Sequence, residues 1–164
     1  MSPRAAWRLE SLGFAEVSDY AAGEADWLAW GLPREGRAAQ VPTVGEVARR
    51  DVPTCGLADR VADVKARAQA AGYDACVVVN AQRVVLGLLR GRELDADPAA
   101  TAEAVMRAGP TTYRLDVPAR EAEARMRERG VDALTVTTPD GVLVGLLRRE
   151  DAERAGAAAG NGQR

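Results

Sequence analysis

The chain repeats itself. Gly87, in the run Leu86-Gly87-Leu88-Leu89-Arg90, lies 58 positions before Gly145 in Val144-Gly145-Leu146-Leu147-Arg148. The same offset, with no gap, lays Thr43 on Thr101, Val47 on Val105, Thr54 on Thr112, Gly72 on Gly130, Asp74 on Asp132 and Ala75 on Ala133. A unit of fewer than about 60 residues buries too little surface to be stable alone, and it cannot cover both faces of a small sheet. Two copies packed on each other can. The offset therefore implies a pseudo-twofold pair, with clefts between the copies where strand ends and helix N-termini converge, the kind of place small ligands occupy.

Each copy carries the same string of local signals. A helical lead-in at residues 44–49 or 102–108 is followed by an extended piece at 52–54 or 110–113. Next comes an amphipathic helix, with Val61, Val64, Ala68 and Ala71 on its apolar face in the first copy and Ala119, Ala122 and Met126 in the second. Gly72 and Gly130 stand where a left-handed C-terminal cap belongs. Two Val-rich strands follow in each copy, residues 75–79 with 84–89 and 133–137 with 142–147, joined by Asn80-Ala81-Gln82 and by Pro139-Asp140-Gly141. The order is helix, strand, helix, strand, strand, helix, an α+β fold. Glu121 and Glu123, four residues before Arg125 and Arg127, mark a solvated helix face.

Composition removes several functions. Hydrophobic residues make up 47% of the chain but aromatics only 4%, so the core is aliphatic. Net charge is −2 and Lys65 is the only lysine, which argues against nucleic-acid partners. There is no histidine, and Cys55 and Cys76 form no CxxC motif, so zinc sites and Ser-His or Cys-His pairs are not available. Both cysteines read as small buried residues of a reduced, cytoplasmic protein. No apolar run is long enough to span a bilayer. Residues 156–164, Gly-Ala-Ala-Ala-Gly-Asn-Gly-Gln-Arg, read as a disordered low-complexity tail.

At the repeat endings the chain resembles a tandem pair of cystathionine-β-synthase (CBS) domains, a unit known for binding adenine nucleotides and related adenosyl compounds. Family members usually end each repeat with Gly, two aliphatic residues, Thr or Ser, two variable residues and Asp. Here those positions read Gly87-Leu88-Leu89-Arg90-Gly91-Arg92-Glu93 and Gly145-Leu146-Leu147-Arg148-Arg149-Glu150-Asp151. The family's hydroxyl residue is Arg in both copies. An Arg at a strand-to-helix junction can grip phosphate bidentately, beside the free N–H groups of the helix start. The resemblance further implies that Asp151, and Glu93 one methylene longer, accept from ribose hydroxyls, and that Thr54 and Thr112 border an adenine pocket through backbone groups. Each residue also has a plainer reading: Arg90 and Arg148 as exposed side chains, Asp151 as a helix N-terminal acid, Gly87 and Gly145 as strand-packing glycines, Thr54 and Thr112 as ordinary strand threonines.

Residues 1–36 hold all three tryptophans, Trp7, Trp27 and Trp30, with a helix, a strand at 15–20 and a second helix expected. Their Leu12-Gly13-Phe14 and Gly31-Leu32-Pro33 patterns resemble the C-terminal end of a rhodanese-like domain. The cysteine nucleophile of that family would precede the helix starting at Ser2-Pro3-Arg4, and none stands there, so no catalytic residue is assigned. The segment is either a remnant that packs its tryptophans on the repeats, or part of a longer protein whose start lies upstream.

The domain plan is a rhodanese-like remnant at 1–36, a linker at 37–42, CBS-type repeats at 43–97 and 98–155, and the tail. Its expected function is a non-catalytic regulatory module, without a required cofactor, binding AMP, ADP, ATP or S-adenosylmethionine through Thr54, Gly87, Arg90, Glu93, Thr112, Gly145, Arg148 and Asp151. The alternative is a ligand-independent dimerisation module. Both readings include a homodimer, no metal and no membrane.

Overall fold

The computed structural model describes residues 3–18 and 20–161. Two short helices, α1 (Pro3–Ser11) and α2 (Gly23–Ala29), precede the repeats. The first repeat runs α3 (Val44–Val47), β1 (Thr54–Cys55), α4 (Val61–Ala70), β2 (Ala75–Val79) and β3 (Val85–Arg90). The second runs α5 (Ala102–Val105), β4 (Arg107–Ala108), β5 (Thr112–Tyr113), α6 (Ala119–Arg129), β6 (Ala133–Thr137), β7 (Leu143–Arg148) and α7 (Arg149–Asn161). Nearly every element recurs 58 residues later, and so does a register shift, between Val78 and Val79 and between Val136 and Thr137. The left-handed glycines are where the sequence puts them: Gly72 at φ +71° and Gly130 at φ +62°.

The strands form two sheets, β1-β2-β3-β4 and β5-β6-β7, with β1 and β5 parallel to their neighbours and the hairpins antiparallel. Alternation along each strand divides its side chains between two environments. Cys76 and Val78 face the core beneath α4, while Val77 faces the partner sheet with Tyr73, Leu143 and Leu146. The hairpin turns meet on the pseudo-twofold axis: Val84 bridges Val142, the Val85 N–H donates to the Gly141 carbonyl, and the Leu143 N–H donates to that of Arg83.

The lead-in helices are exchanged. Val44 of α3 and Ala48 just after it lie in the core of Met126, Val136 and Leu147, whereas Ala102, Val105 and Met106 close the core of Val64, Val78 and Leu89. Backbone bonds from Val44 and Gly45 to the carbonyls of Val117 and Leu115 hold the first lead-in there. Each packing unit is thus not the contiguous sequence repeat, and the exchange ties the two halves into one hydrophobic structure.

Several expectations are corrected. The lead-in helices stop at Val47 and Val105, and Arg107–Ala108 turns into an edge strand instead of continuing the second. Residues 15–18 and Tyr20 form no strand, because no other strand lies beside them to complete a ladder. Residues 156–161 are helical, not disordered, as the last turns of α7; residues 162–164 lie outside the described ones. The tryptophans do not seal the N-terminal segment onto the repeats. Trp7 is 68% exposed, Trp30 is exposed, and Trp27 turns to its own segment, edge-on to Tyr20 and donating to the Pro33 carbonyl at 2.7 Å. Both cysteines are buried as expected, in the first repeat. Among the described residues no helix is long and apolar enough to cross a membrane.

Candidate functional site

A cleft of about 840 Å³ opens across the pseudo-twofold axis, at the end of the sheets opposite the hairpin turns. Its walls are matched pairs: Gly72 and Gly130, Asp74 and Asp132, Ala75 and Ala133, Leu88 and Leu146, Arg90 and Arg148. Each β2 or β6 starts there and each β3 or β7 ends there, so the repeat endings singled out in the sequence converge on one place. The pairing of side chains is not symmetric, however, and the exceptions decide what the cleft can hold.

Arg148 is already engaged. Its guanidinium stacks 4.4 Å above the Tyr73 ring, donates to the Gly72 carbonyl at 2.8 Å and lies 3.6 Å from Glu150. It thereby clamps the second repeat onto the first. The residue matching Tyr73 is Val131, which offers no π-face, and Arg90 accordingly lines the cleft with no side-chain partner among the described residues. Tyr73 itself is buried and donates its hydroxyl to Asp51 at 3.2 Å; burial first, and that hydrogen bond second, raise its pKa above the usual phenol value.

The two acids of the repeat endings are buried and neutralised within the fold. Asp151 accepts from Arg49 at both oxygens, from Nε at 2.6 Å and from a terminal nitrogen at 3.0 Å, with Arg154 at 3.2 Å. Those bonds hold its carboxyl below the usual range against the opposing effect of burial. Glu93 accepts at Oε1 from Arg107 Nε at 2.8 Å and from Arg92 Nε at 3.1 Å. Burial pushes its pKa up, the two arginines more than offset this, and the net shift is downward. Glu93 Oε2 is buried with no hydrogen-bond partner.

Of the eight predicted site residues, only Arg90 and Arg148 line this cleft. Glu93 sits behind it and reaches it through Arg92 and Arg107, whereas the partners of Asp151, Arg49 and Arg154, do not line the cleft. Gly87 and Gly145 are closed off by packing: a Cβ at Gly145 would lie 2.1 Å from the Arg49 carbonyl oxygen, and one at Gly87 2.3 Å from the Met106 sulfur. Thr54 and Thr112 are on β1 and β5, away from the cleft, with the Thr54 carbonyl taken by Arg67 at 2.5 Å. Sequence reasoning missed Arg49, Arg107 and Tyr73. The first two are themselves 58 apart, so the repeat register held the signal that they act as a matched pair.

A second cavity of about 390 Å³ lies where the N-terminal segment meets the first lead-in and the start of the second repeat, lined by Leu28, Leu32, Arg34, Glu46, Arg50 and Leu115 among others. Among the described residues no cluster of acids and cysteines is placed to hold a metal ion.

Residues 102–157 match the family model of the CBS domain, covering the second repeat and most of its closing helix. An uncharacterized protein of Methanopyrus kandleri is 26% identical over 117 residues, 66% of this chain; the chain spans 60% of that relative's length. Similar solved structures include the CBS domains of a transcriptional regulator from Streptococcus pneumoniae, with 21% identity over 68% of this chain and 97% of that one and a TM-score of 0.64. CBSX2 in complex with AMP gives 19% identity, 71% and 97% coverage and a TM-score of 0.65. The cytosolic domain of the Mg2+ channel MgtE in complex with ATP gives 21%, covers 71% of this chain and 50% of that one, and scores 0.63. At these identities the likeness establishes the fold, that of a CBS pair with two small sheets flanked by helices.

Proposed function

We propose that the chain is a non-catalytic regulatory module whose inter-repeat cleft binds an adenine nucleotide. The observation that carries this reading is Arg90, a guanidinium with no side-chain partner among the described residues, facing an 840 Å³ cleft that Arg92 and Arg107 also line. A cavity of that size suits a nucleotide, and a planar fork of donors suits phosphate oxygens. The AMP and ATP held by two structures of the same fold support the ligand class. Among the adenosyl compounds, the arginines favour phosphorylated ones over S-adenosylmethionine, whose sulfonium is cationic. In this reading the protein is cytoplasmic, and residues 1–36 are a rhodanese-like appendage without catalytic work of its own.

Isothermal titration of the full chain with AMP, ADP, ATP and S-adenosylmethionine tests it. The expected order is ATP tightest and S-adenosylmethionine weakest. No heat for any of them, from protein shown folded by circular dichroism, refutes nucleotide binding. A second reading, a ligand-independent homodimer, draws on the internal neutralisation of Asp151 and Glu93, which leaves neither acid waiting for a ribose. Light scattering distinguishes it: a stable dimer that no nucleotide alters favours this alternative.

A further inference from the structure

The cleft's symmetry is one of backbone only. On the first-sheet side it presents Arg90, Arg92 and Arg107 against one acid, Asp74; on the second-sheet side, Arg148 and Arg149 against Asp132, Glu150 and Glu153. The two second-sheet arginines are engaged by its three acids, which stay in excess: Arg149 pairs with Asp132 at 2.8 Å, and Glu150 lies within 3.6 Å of Arg148 and 3.3 Å of Arg49. On the first-sheet side, Arg92 and Arg107 bond Glu93 through Nε, which leaves their terminal nitrogens to other acceptors, and Arg90 has no side-chain partner among the described residues. The difference traces to single residues in the repeat register. Arg92 stands where the other copy has Glu150, Gly91 where it has Arg149, and Val131 where the first copy has Tyr73.

We infer that the cleft is a one-sided anion site: a single ligand lies across the axis with its phosphate chain on Arg90, Arg92 and Arg107. Its hydrogen-bond-donating end, hydroxyl or amino, points to the acids of the second-sheet side, and Arg148 is a clamp that takes no part in holding phosphate. The identity of the donating end rests on the nucleotide reading above. The anion half does not, because bare polyphosphate has the same chemistry. Opposite net charge at the two ends sets the ligand's direction, since a phosphate placed against Glu150 and Glu153 meets like charge.

Inorganic tripolyphosphate and ATP, titrated calorimetrically into the full chain and its variants, provide the test. One tripolyphosphate per chain is expected, weakened about tenfold or more in Arg90→Ala and changed less than about threefold in Arg148→Ala and Arg149→Ala. Arg148→Ala should instead lower the melting temperature. If that variant does not fold, Arg149→Ala still reports on the second-sheet side. Two equivalent sites per chain, a loss in Arg149→Ala equal to that in Arg90→Ala, or no tripolyphosphate binding each overturns the one-sided site. Should tripolyphosphate bind as expected while ATP binds no tighter, the nucleotide reading fails and the anion site stands. Should ATP bind tightly and ignore Arg90→Ala, the reverse holds.

Discussion

Gly145→Ala and Gly87→Ala are the same substitution at matched positions of the two repeats, and the structure assigns them different costs. At Gly145 the new methyl meets backbone: the Arg49 carbonyl oxygen at 2.1 Å and its carbonyl carbon at 2.9 Å, where real Cβ atoms essentially never come within 3.0 Å. Arg49 cannot swing aside, because its N–H and carbonyl are bonded reciprocally to Leu146 at 2.9 and 3.0 Å and its side chain grips Asp151. A shift of roughly 1 Å is needed to relieve the contact, which forfeits the reciprocal pair at about 1 kcal/mol per bond. Overpacking adds about 1–3 kcal/mol, and the lower chain entropy of alanine returns about 0.5–1 kcal/mol. A net loss of about 2–4 kcal/mol follows. At Gly87 the obstacle is the Met106 side chain, with its sulfur at 2.3 Å, its Cγ at 2.9 Å and its Cβ at 3.1 Å; turning Met106 about χ1 carries the sulfur and Cγ away, only a small adjustment at Cβ remains, and the loss is about 1–2 kcal/mol. Urea unfolding followed by far-ultraviolet circular dichroism reads both. With a slope of about 1–3 kcal/mol per molar, Gly145→Ala should lower the midpoint by about 0.7 M or more and Gly87→Ala by a fraction of that. Equal shifts would refute the argument that backbone, not side chain, occupies the space over Gly145.

Three other outcomes follow from the same geometry. Because Asp151 and Glu93 have pKa values lowered by folding, the unfolded chain binds more protons in the window between folded and unfolded values; the stability they contribute is complete above about pH 4–5 and is lost as pH falls through the folded values. Urea midpoints at pH 7, 5 and 3 should show this fall in the parent and a shallower one in Arg49→Met, and parallel profiles would argue against the pair as its source. Met126→Ala, at a fully buried position of α6, should cost about 2–4 kcal/mol by leaving a cavity among Val136, Leu147 and Val44, and a loss under 1 kcal/mol would mean the exchanged lead-in collapses into the space. Cys55 and Cys76, both buried, should react with Ellman's reagent only on unfolding; rapid labelling of the native chain would show that the first-repeat core opens.

The sequence by itself determined the number of units, the type and order of their elements, the turns and the caps. These are local properties: the period of apolar residues along α4 and α6, the Val-rich strands, the left-handed glycines after each helix. The 58-residue register carried them from one copy to the other, and even the matched pair of Arg49 and Arg107 was written in it, unread. Where local signal lacked a partner, expectation failed, as with the strand expected at 15–20, beside which no strand lies among the described residues, and with residues 156–161, which are helical as an extension of α7. Only the tertiary structure decided that the lead-ins cross over, that Arg49 meets Asp151 across 102 residues, and that Gly145 answers to a carbonyl oxygen and not to a ligand. It decided too that Arg148 is consumed by Tyr73 while Arg90 is left facing the cleft. Such pairings depend on where the fold brings distant segments together, and a periodicity of 58, being the same in both copies, cannot tell which of two matched arginines finds a ring beneath it.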